Sequence, residues 1–151
     1  GTESDNLVQP NDMPEGLEAG TIPTIAIASL LAGAKFIASH FDEIRAKEAE
    51  LSTYFYNKLK SVQSIKLYSN EASKNVFSFN VGNLDSGEVA DILNEKYGIC
   101  VRSGLHCAPL VHKKLGTLKT GAVRASIDFN NTKQEIDYFI NAVKQIASIK
   151  V

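Results

Sequence analysis

The chain has 151 residues, 44% hydrophobic and 22% charged, with a formal net charge of −1. That balance is ordinary for a globular protein and lacks the basic excess of a general nucleic-acid binder, so no nucleic-acid partner is expected. The length allows one domain with a real core plus an appendage. Two cysteines exclude a disulfide framework and fit a reducing cytoplasm. The sequence is read as having no apolar run near the roughly 20 residues of a membrane span, so no membrane partner is expected. Residues 1 to 15 are polar and lack the regions of a signal peptide. Met13 is the only methionine and does not stand first, which is expected of a cut or processed chain.

In chain order, residues 1 to 20 carry Pro10, Pro14, Gly16 and Gly20 among polar neighbours and predict an extended, turn-rich loop. A helix is expected to open at Pro23, and Ile25, Ala28, Ser29, Ala32 and Phe36 predict that it is buried nearly all round. Gly20 and Thr21 before it offer N–H groups and a hydroxyl, the parts of an anion site; alternatively Thr21 and Thr24 merely cap the helix. A second helix is expected from Ser39 to about Ser61, with Ile44, Leu51, Tyr54 or Phe55, and Leu59 inward.

The period then switches. Ile65 to Tyr68 predicts a short strand, and Asn75 to Val81 a second, with Phe77, Phe79 and Val81 on one face and Val76, Ser78 and Asn80 on the other. Ser86 to Tyr97 predicts a helix with a serine cap and Gly98 as its stop. Ile99 to Arg102 predicts a strand, followed by a loop containing Pro109, His112 and Gly116. Gly121 to Ile127 predicts a further strand, Asn130 to Thr132 a turn and cap, and Lys133 to Ser148 a closing amphipathic helix. The expected class is α/β: a loop with connecting helices over 1–64, then a small α+β domain over 65–151 in the order β-β-α-β-β-α.

The chemistry concentrates in Arg102-Ser-Gly-Leu-His-Cys-Ala-Pro109. Cys107 beside His106, past a strand and a glycine, sits where a thiol can be reached and activated, although free cysteines are often inert core residues. Arg124 lies inside a strand of small and apolar residues, where arginine rarely sits without a partner. Its planar fork fits a carboxylate or phosphate, or an internal ion pair with Asp128 or Glu135. Arg102 adds a second cation to this neighbourhood, and two arginines near a thiol favour its reactive form. Cys100, His106, Cys107 and His112 lack metal-ligand spacing, and no metal site is expected. Nothing marks the orienting residue of a Cys-His hydrolase.

The Arg102–Pro109 stretch resembles the R-x-G-x-H-C-A loop of cysteine desulfurases of the class V aminotransferase superfamily. Glu18-Ala-Gly-Thr21 is similar to the segment before a helix in that family, Gly121-Ala-Val-Arg-Ala-Ser126 to its (G/C)-x-x-R-A-S strand, and Asn131-Thr-Lys-Gln-Glu-Ile-Asp137 to its N-T-x-x-E-(I/V)-D helix start. The four motifs come in the right order along essentially the whole chain. The resemblance implies the C-terminal part of a pyridoxal-phosphate-dependent type I fold, with 1–64 a remnant of the large cofactor domain plus linker. Cys107 would be the nucleophile that takes sulfur from L-cysteine as a persulfide, leaving alanine. Arg124 would grip the substrate carboxylate, Arg102 and His106 would flank the thiol, and Thr21 with Gly20 would contact the cofactor phosphate across a homodimer interface. A sulfur-acceptor protein would follow, in iron–sulfur or thio-cofactor assembly. No stretch matches the family's Schiff-base lysine, so the chain alone is expected to be inactive. A selenocysteine lyase, another class V aminotransferase, or a stand-alone persulfide carrier are the alternatives.

Overall fold

The structure, a computed structural model, describes residues 5–8, 10–18 and 20–149, the side chain of residue 149 excepted. Ala19, inside the Glu18–Thr21 segment, lies outside the described residues. The chain divides into two compact units, 1–41 and 42–151.

In the first unit, residues 12–18 form successive turns, with Gly16 N–H donating to Asp12 O at 2.6 Å and Leu17 N–H to Pro14 O at 3.0 Å. Helix α1 then runs Thr24–Lys60, one helix of 37 residues instead of the two expected. Ser39 and His40 do not break it, because both bond back to the preceding turn: Ser39 Oγ to Lys35 O at 2.9 Å, and His40 Nδ1 to Phe36 O at 2.9 Å. The expected all-round burial is not found. Ile25 is 84% exposed, and Leu30, Leu31, Phe36 and Ile37 are exposed too. A unit made of a loop and half a helix has no second layer to cover them. The start of α1 is also long and apolar enough, by length and composition, to cross a membrane, which the reading of the sequence missed. Ala, Ser and Gly interspersed among Ile and Leu dilute the run to the eye.

In the second unit a three-stranded antiparallel sheet is ordered β1-β2-β3, with β1 Ile65–Leu67, β2 Val76–Val81 and β3 Val123–Ser126. The register sets Leu67 against Phe79, and Phe77 against Ala125. Helices α2 (Ser86–Tyr97) and α4 (Lys133–Ile149) pack against it. As the alternation predicted, Phe77, Phe79 and Val81 are buried; they meet Leu51, Phe55 and Leu59 of α1, Leu93 of α2, and Ile140 and Val143 of α4. Phe55 lies 4.9 Å from Phe77 and 5.2 Å from Phe139, ring centre to ring centre. Asn80, on the face of Val76 and Ser78, is buried as well, because the 120–121 loop covers it and Gly121 O accepts from its Nδ2 at 3.1 Å.

Helix ends follow the sequence closely, with one exchange. Thr132 and Glu135 form a reciprocal capping box at α4: Glu135 N–H donates to Thr132 Oγ1 at 3.2 Å, and Thr132 N–H to Glu135 Oε2 at 2.8 Å. Gly98 ends α2 with φ 65°. The cap of α2, however, is Asp85, whose carboxylate accepts from Gly87 N–H at 2.8 Å. Ser86 is thereby freed, and its Oγ accepts from Gly104 N–H at 3.1 Å. The strand expected over Ile99–Arg102 is reduced to an isolated bridge between Arg102 and Arg124. The loop expected after it contains a short helix α3, Pro109–Leu115, opened by proline in its first turn and closed by Gly116 at φ 74°.

Gly121 is where these pieces touch. Its φ is +62°, and a β-carbon there would stand 2.5 Å from Ser86 Oγ and 2.7 Å from Gly104 Cα. Gly121→Ala should therefore destabilise the fold by about 2–4 kcal/mol, combining left-handed strain with overlap against backbone. Urea denaturation checks this; a loss below about 0.5 kcal/mol, the size of an ordinary surface change, would overturn the close approach.

Candidate functional site

The site is built on the Arg102–Arg124 bridge. Arg102 N–H donates to Arg124 O at 3.1 Å, and Arg124 N–H to Arg102 O at 2.7 Å. Residues that exchange both hydrogen bonds across an antiparallel pair project their side chains from the same face. Two guanidinium groups are thus set side by side, an arrangement that is unfavourable without an anion. Neither expected internal partner supplies one. Glu135 is taken up by Thr132 and Asn131, and Asp128 Oδ1 by Asn130 N–H at 2.6 Å. Arg124 Nε is buried with no hydrogen-bond acceptor.

Beyond the bridge, Gly104 turns the chain at φ 93°, held by Ser86 Oγ and by its own carbonyl, which accepts from Ala122 N–H at 3.1 Å. The turn Leu105-His106-Cys107-Ala108 closes with Ala108 N–H donating to Leu105 O at 2.8 Å. Its central residues, His106 at φ 51° and Cys107 at φ 59°, are both left-handed. That is the pattern of a primed turn, which ordinarily takes Gly or Asn. For a histidine and a cysteine it stores roughly 1–2 kcal/mol each, a strain typical of functional positions. The turn leaves Cys107 exposed, with Arg102 Nη2 donating to its Sγ at 3.6 Å.

His106 Nε2 lies 3.4 Å from Arg102 O. A carbonyl can only accept, so Nε2 carries the proton and Nδ1 is left with its lone pair. Burial, with the neighbouring positive charges, holds the His106 pKa below its ordinary 6.5 despite the opposing hydrogen bond to Arg102 O, and the ring is neutral at pH 7. His112 of α3 stands behind it, rings 5.6 Å apart. It is 3% exposed and tied through Nδ1 to Thr117 Oγ1 at 2.8 Å. Ser86, His112 and Thr117 are supports that the sequence reading missed. Only Pro109 at the start of α3 and Gly116 after it signalled the helix that buries His112.

Thus Arg102, His106, Cys107 and Arg124 come together in the second unit. Gly20 and Thr21 belong to the first. Gly20 has φ 140°, and both residues line a cavity of 360 Å³ with Leu17, Glu18, Pro23 and Ile27. Among the described residues, no three His, Cys, Asp or Glu side chains gather as metal ligands.

An N–H aimed at sulfur stabilises the negative charge that develops there as the thiol reacts. Iodoacetamide at pH 7 should alkylate Cys107 about fivefold faster than Cys100, and Arg102→Ala should remove most of that difference. Peptide mapping reads both rates; an unchanged ratio in the variant would take Arg102 out of the thiol's environment.

The sequence pattern of the family described as aminotransferase class-V matches residues 2–139, a span that includes α1 and the whole loop. A probable cysteine desulfurase of Staphylococcus aureus is 37% identical over 138 residues, covering 89% of this chain and 32% of its own length. A probable cysteine desulfurase of Methanothermobacter thermautotrophicus is 33% identical over 141 residues, covering 91% of this chain and 35% of its own. The apo structure of a cysteine desulfurase from Thermococcus onnurineus superposes with a TM-score of 0.79 at 33% identity, over 89% of this chain and 34% of that one. The chain spans about a third of the length of the curated relatives it matches. The match over residues 2–139 shows that the chain belongs to the class V aminotransferase family, and it is similar to cysteine desulfurases over about a third of their length.

Proposed function

We propose that this chain is the thiol-bearing part of a pyridoxal-phosphate-dependent cysteine desulfurase, with 65–151 as its catalytic-loop domain and 1–64 belonging with the large cofactor domain and its linker. The observation that carries the reading is an exposed Cys107 on a strained turn, facing Arg102, next to an Arg124 whose buried Nε lacks an acceptor. An amino-acid carboxylate is the anion of the right shape and charge for that fork.

The fit to the cofactor itself is partial. Thr21 and Gly20 offer a hydroxyl and an open backbone suited to its phosphate. Among the described lysines none is buried, and Lys58 and Lys133 are committed to Asp137 and Glu50. When bound, pyridoxal phosphate supplies the electron sink that makes bonds of the amino acid labile. The residues of this chain do the rest. Arg124 fixes the carboxylate of L-cysteine. Arg102 Nη2 is aimed at the sulfur of Cys107; that sulfur attacks the substrate sulfur, an S–S bond forms as the C–S bond breaks, and the electron pair stays with the carbon, which takes a proton to leave alanine. His106 Nδ1 is the neutral base nearest in sequence to the thiol and can hold its proton. A homodimer, a cytoplasmic location and delivery into iron–sulfur or thio-cofactor assembly belong to the same proposal.

In the longest natural form of the protein, Cys107→Ala should lower sulfide release at least about 100-fold, as loss of a covalent nucleophile does. Arg124→Ala should raise KM about 10- to 100-fold, with Arg124→Lys between, since a point charge cannot make the bidentate contact. Equal rates for Cys107→Ala and wild type would end the proposal. The 151-residue chain alone, mixed with pyridoxal phosphate and borohydride, should give no stoichiometric adduct at a single lysine. Mass spectrometry of the reduced peptides checks this, and one such adduct would mean that the chain carries its own cofactor lysine.

A further inference from the structure

Between Tyr97 and Ile127 the sequence holds Arg102, Lys113, Lys114, Lys119 and Arg124 and no Asp or Glu, in a chain whose net charge is −1. Among the described residues, the ion pairs use Lys58, Lys60 and Lys133, and none of these five cations has a carboxylate partner. The three lysines are exposed, and so are apolar side chains beside them: Leu110 is 81%, Val111 54% and Leu118 46% exposed.

These residues follow Cys107 closely in the sequence. Helix α3 begins two residues after it, and seven residues span only about 10 Å, so Lys113 and Lys114 lie roughly one Debye length from the thiol. Leu118 and Lys119 line one concavity with Ser103, Gly104 and Leu105, at the base of the cysteine turn. His112 and Thr117 face inward, so the outer side of α3 is left apolar and cationic.

We propose that this surface docks an acidic protein that receives sulfur from Cys107, with Leu110, Val111 and Leu118 as the apolar contact and Lys113, Lys114 and Lys119 as the steering charges. The inference rests on the reading of Cys107 as a sulfur-carrying nucleophile and adds the chemistry of the acceptor. Apolar side chains inside a charged rim are the make-up of a protein contact. A single-stranded nucleic acid would call for stacking aromatics, and no Phe, Tyr or Trp occurs from Gly98 to Asp128. The transfer balances without an added oxidant or reductant. The acceptor thiolate attacks the outer sulfur of the Cys107 persulfide, the new S–S bond forms on the acceptor, the old one breaks, and its electron pair leaves on Cys107 Sγ as thiolate.

The surface can be tested on this chain without desulfuration. In a Cys100→Ser background, Cys107 is converted to its mixed disulfide with thionitrobenzoate, and release of the dye by synthetic peptides is followed. One peptide carries cysteine flanked by Glu and Leu, the other the same cysteine flanked by Lys and Leu. Each rate is divided by that peptide's rate with free dithiobis(nitrobenzoate). The acidic peptide should react about tenfold faster at low ionic strength, and the advantage should shrink in 1 M salt. The triple variant Lys113→Glu/Lys114→Glu/Lys119→Glu should abolish or reverse the preference. An unchanged preference in that variant would overturn the docking surface, leaving Arg102 as its cause. Protection of the mixed disulfide by a 20-nucleotide RNA, where polyglutamate of equal charge gives none, would also overturn it in favour of nucleic acid. These outcomes are separate from sulfide release, which judges the role of Cys107 and not of α3.

Discussion

Two arginines paired backbone to backbone set the terms for the rest of the second unit. The bridge fixes where Arg102 leaves β3 behind, and hence where the cysteine turn begins. It also concentrates positive charge at a place where, among the described residues, no carboxylate pairs with it. A structural ion pair would have neutralised the site and left Cys107 an ordinary surface thiol. An unsatisfied fork instead favours an anion of matching shape.

The cysteine turn is held by supports from α2, from α3 and from the approach to β3. Ser86 from α2 and Gly121 from the approach to β3 clamp Gly104, while α3 rests on the buried His112–Thr117 pair behind His106. Strain at His106 and Cys107 persists because these contacts over-determine it. Relaxing the turn would move the thiol away from Arg102.

Much of this was legible in the sequence. The alternation of Phe77, Phe79 and Val81 marked the buried face of β2, Gly98 the end of α2, and Asn130 to Thr132 the turn and cap before α4, because each depends on neighbours within a few residues. Cys107, His106, Arg102 and Arg124 were singled out for their chemistry and do converge. What could not be read depends on distant partners. Ser86 looked like a cap, but Asp85 one residue earlier is the stronger acceptor and released it to the loop. Ile99 to Val101 has strand composition, but the chain parts from β3 after a single bridge, and composition does not decide how long two segments run together. Asn80 sat on the polar face by period, yet a loop 40 residues later buries it. The apolar start of α1 promised a core helix, whereas burial requires a second layer that its own unit does not contain.

The contact at Gly121 also limits how the sequence can drift. Covariation usually lets a larger side chain enter when a neighbour shrinks. Trimming Ser86 would remove one of the two obstructions at Gly121, but the other is the backbone of Gly104, which no substitution can make smaller. Gly104 itself is left-handed at φ 93°. Position 104 should therefore stay glycine through descent while the helix faces around it diverge. A relative with the cysteine that the (G/C)-x-x-R-A-S pattern allows at position 121 should hold its Gly104 backbone further from that strand.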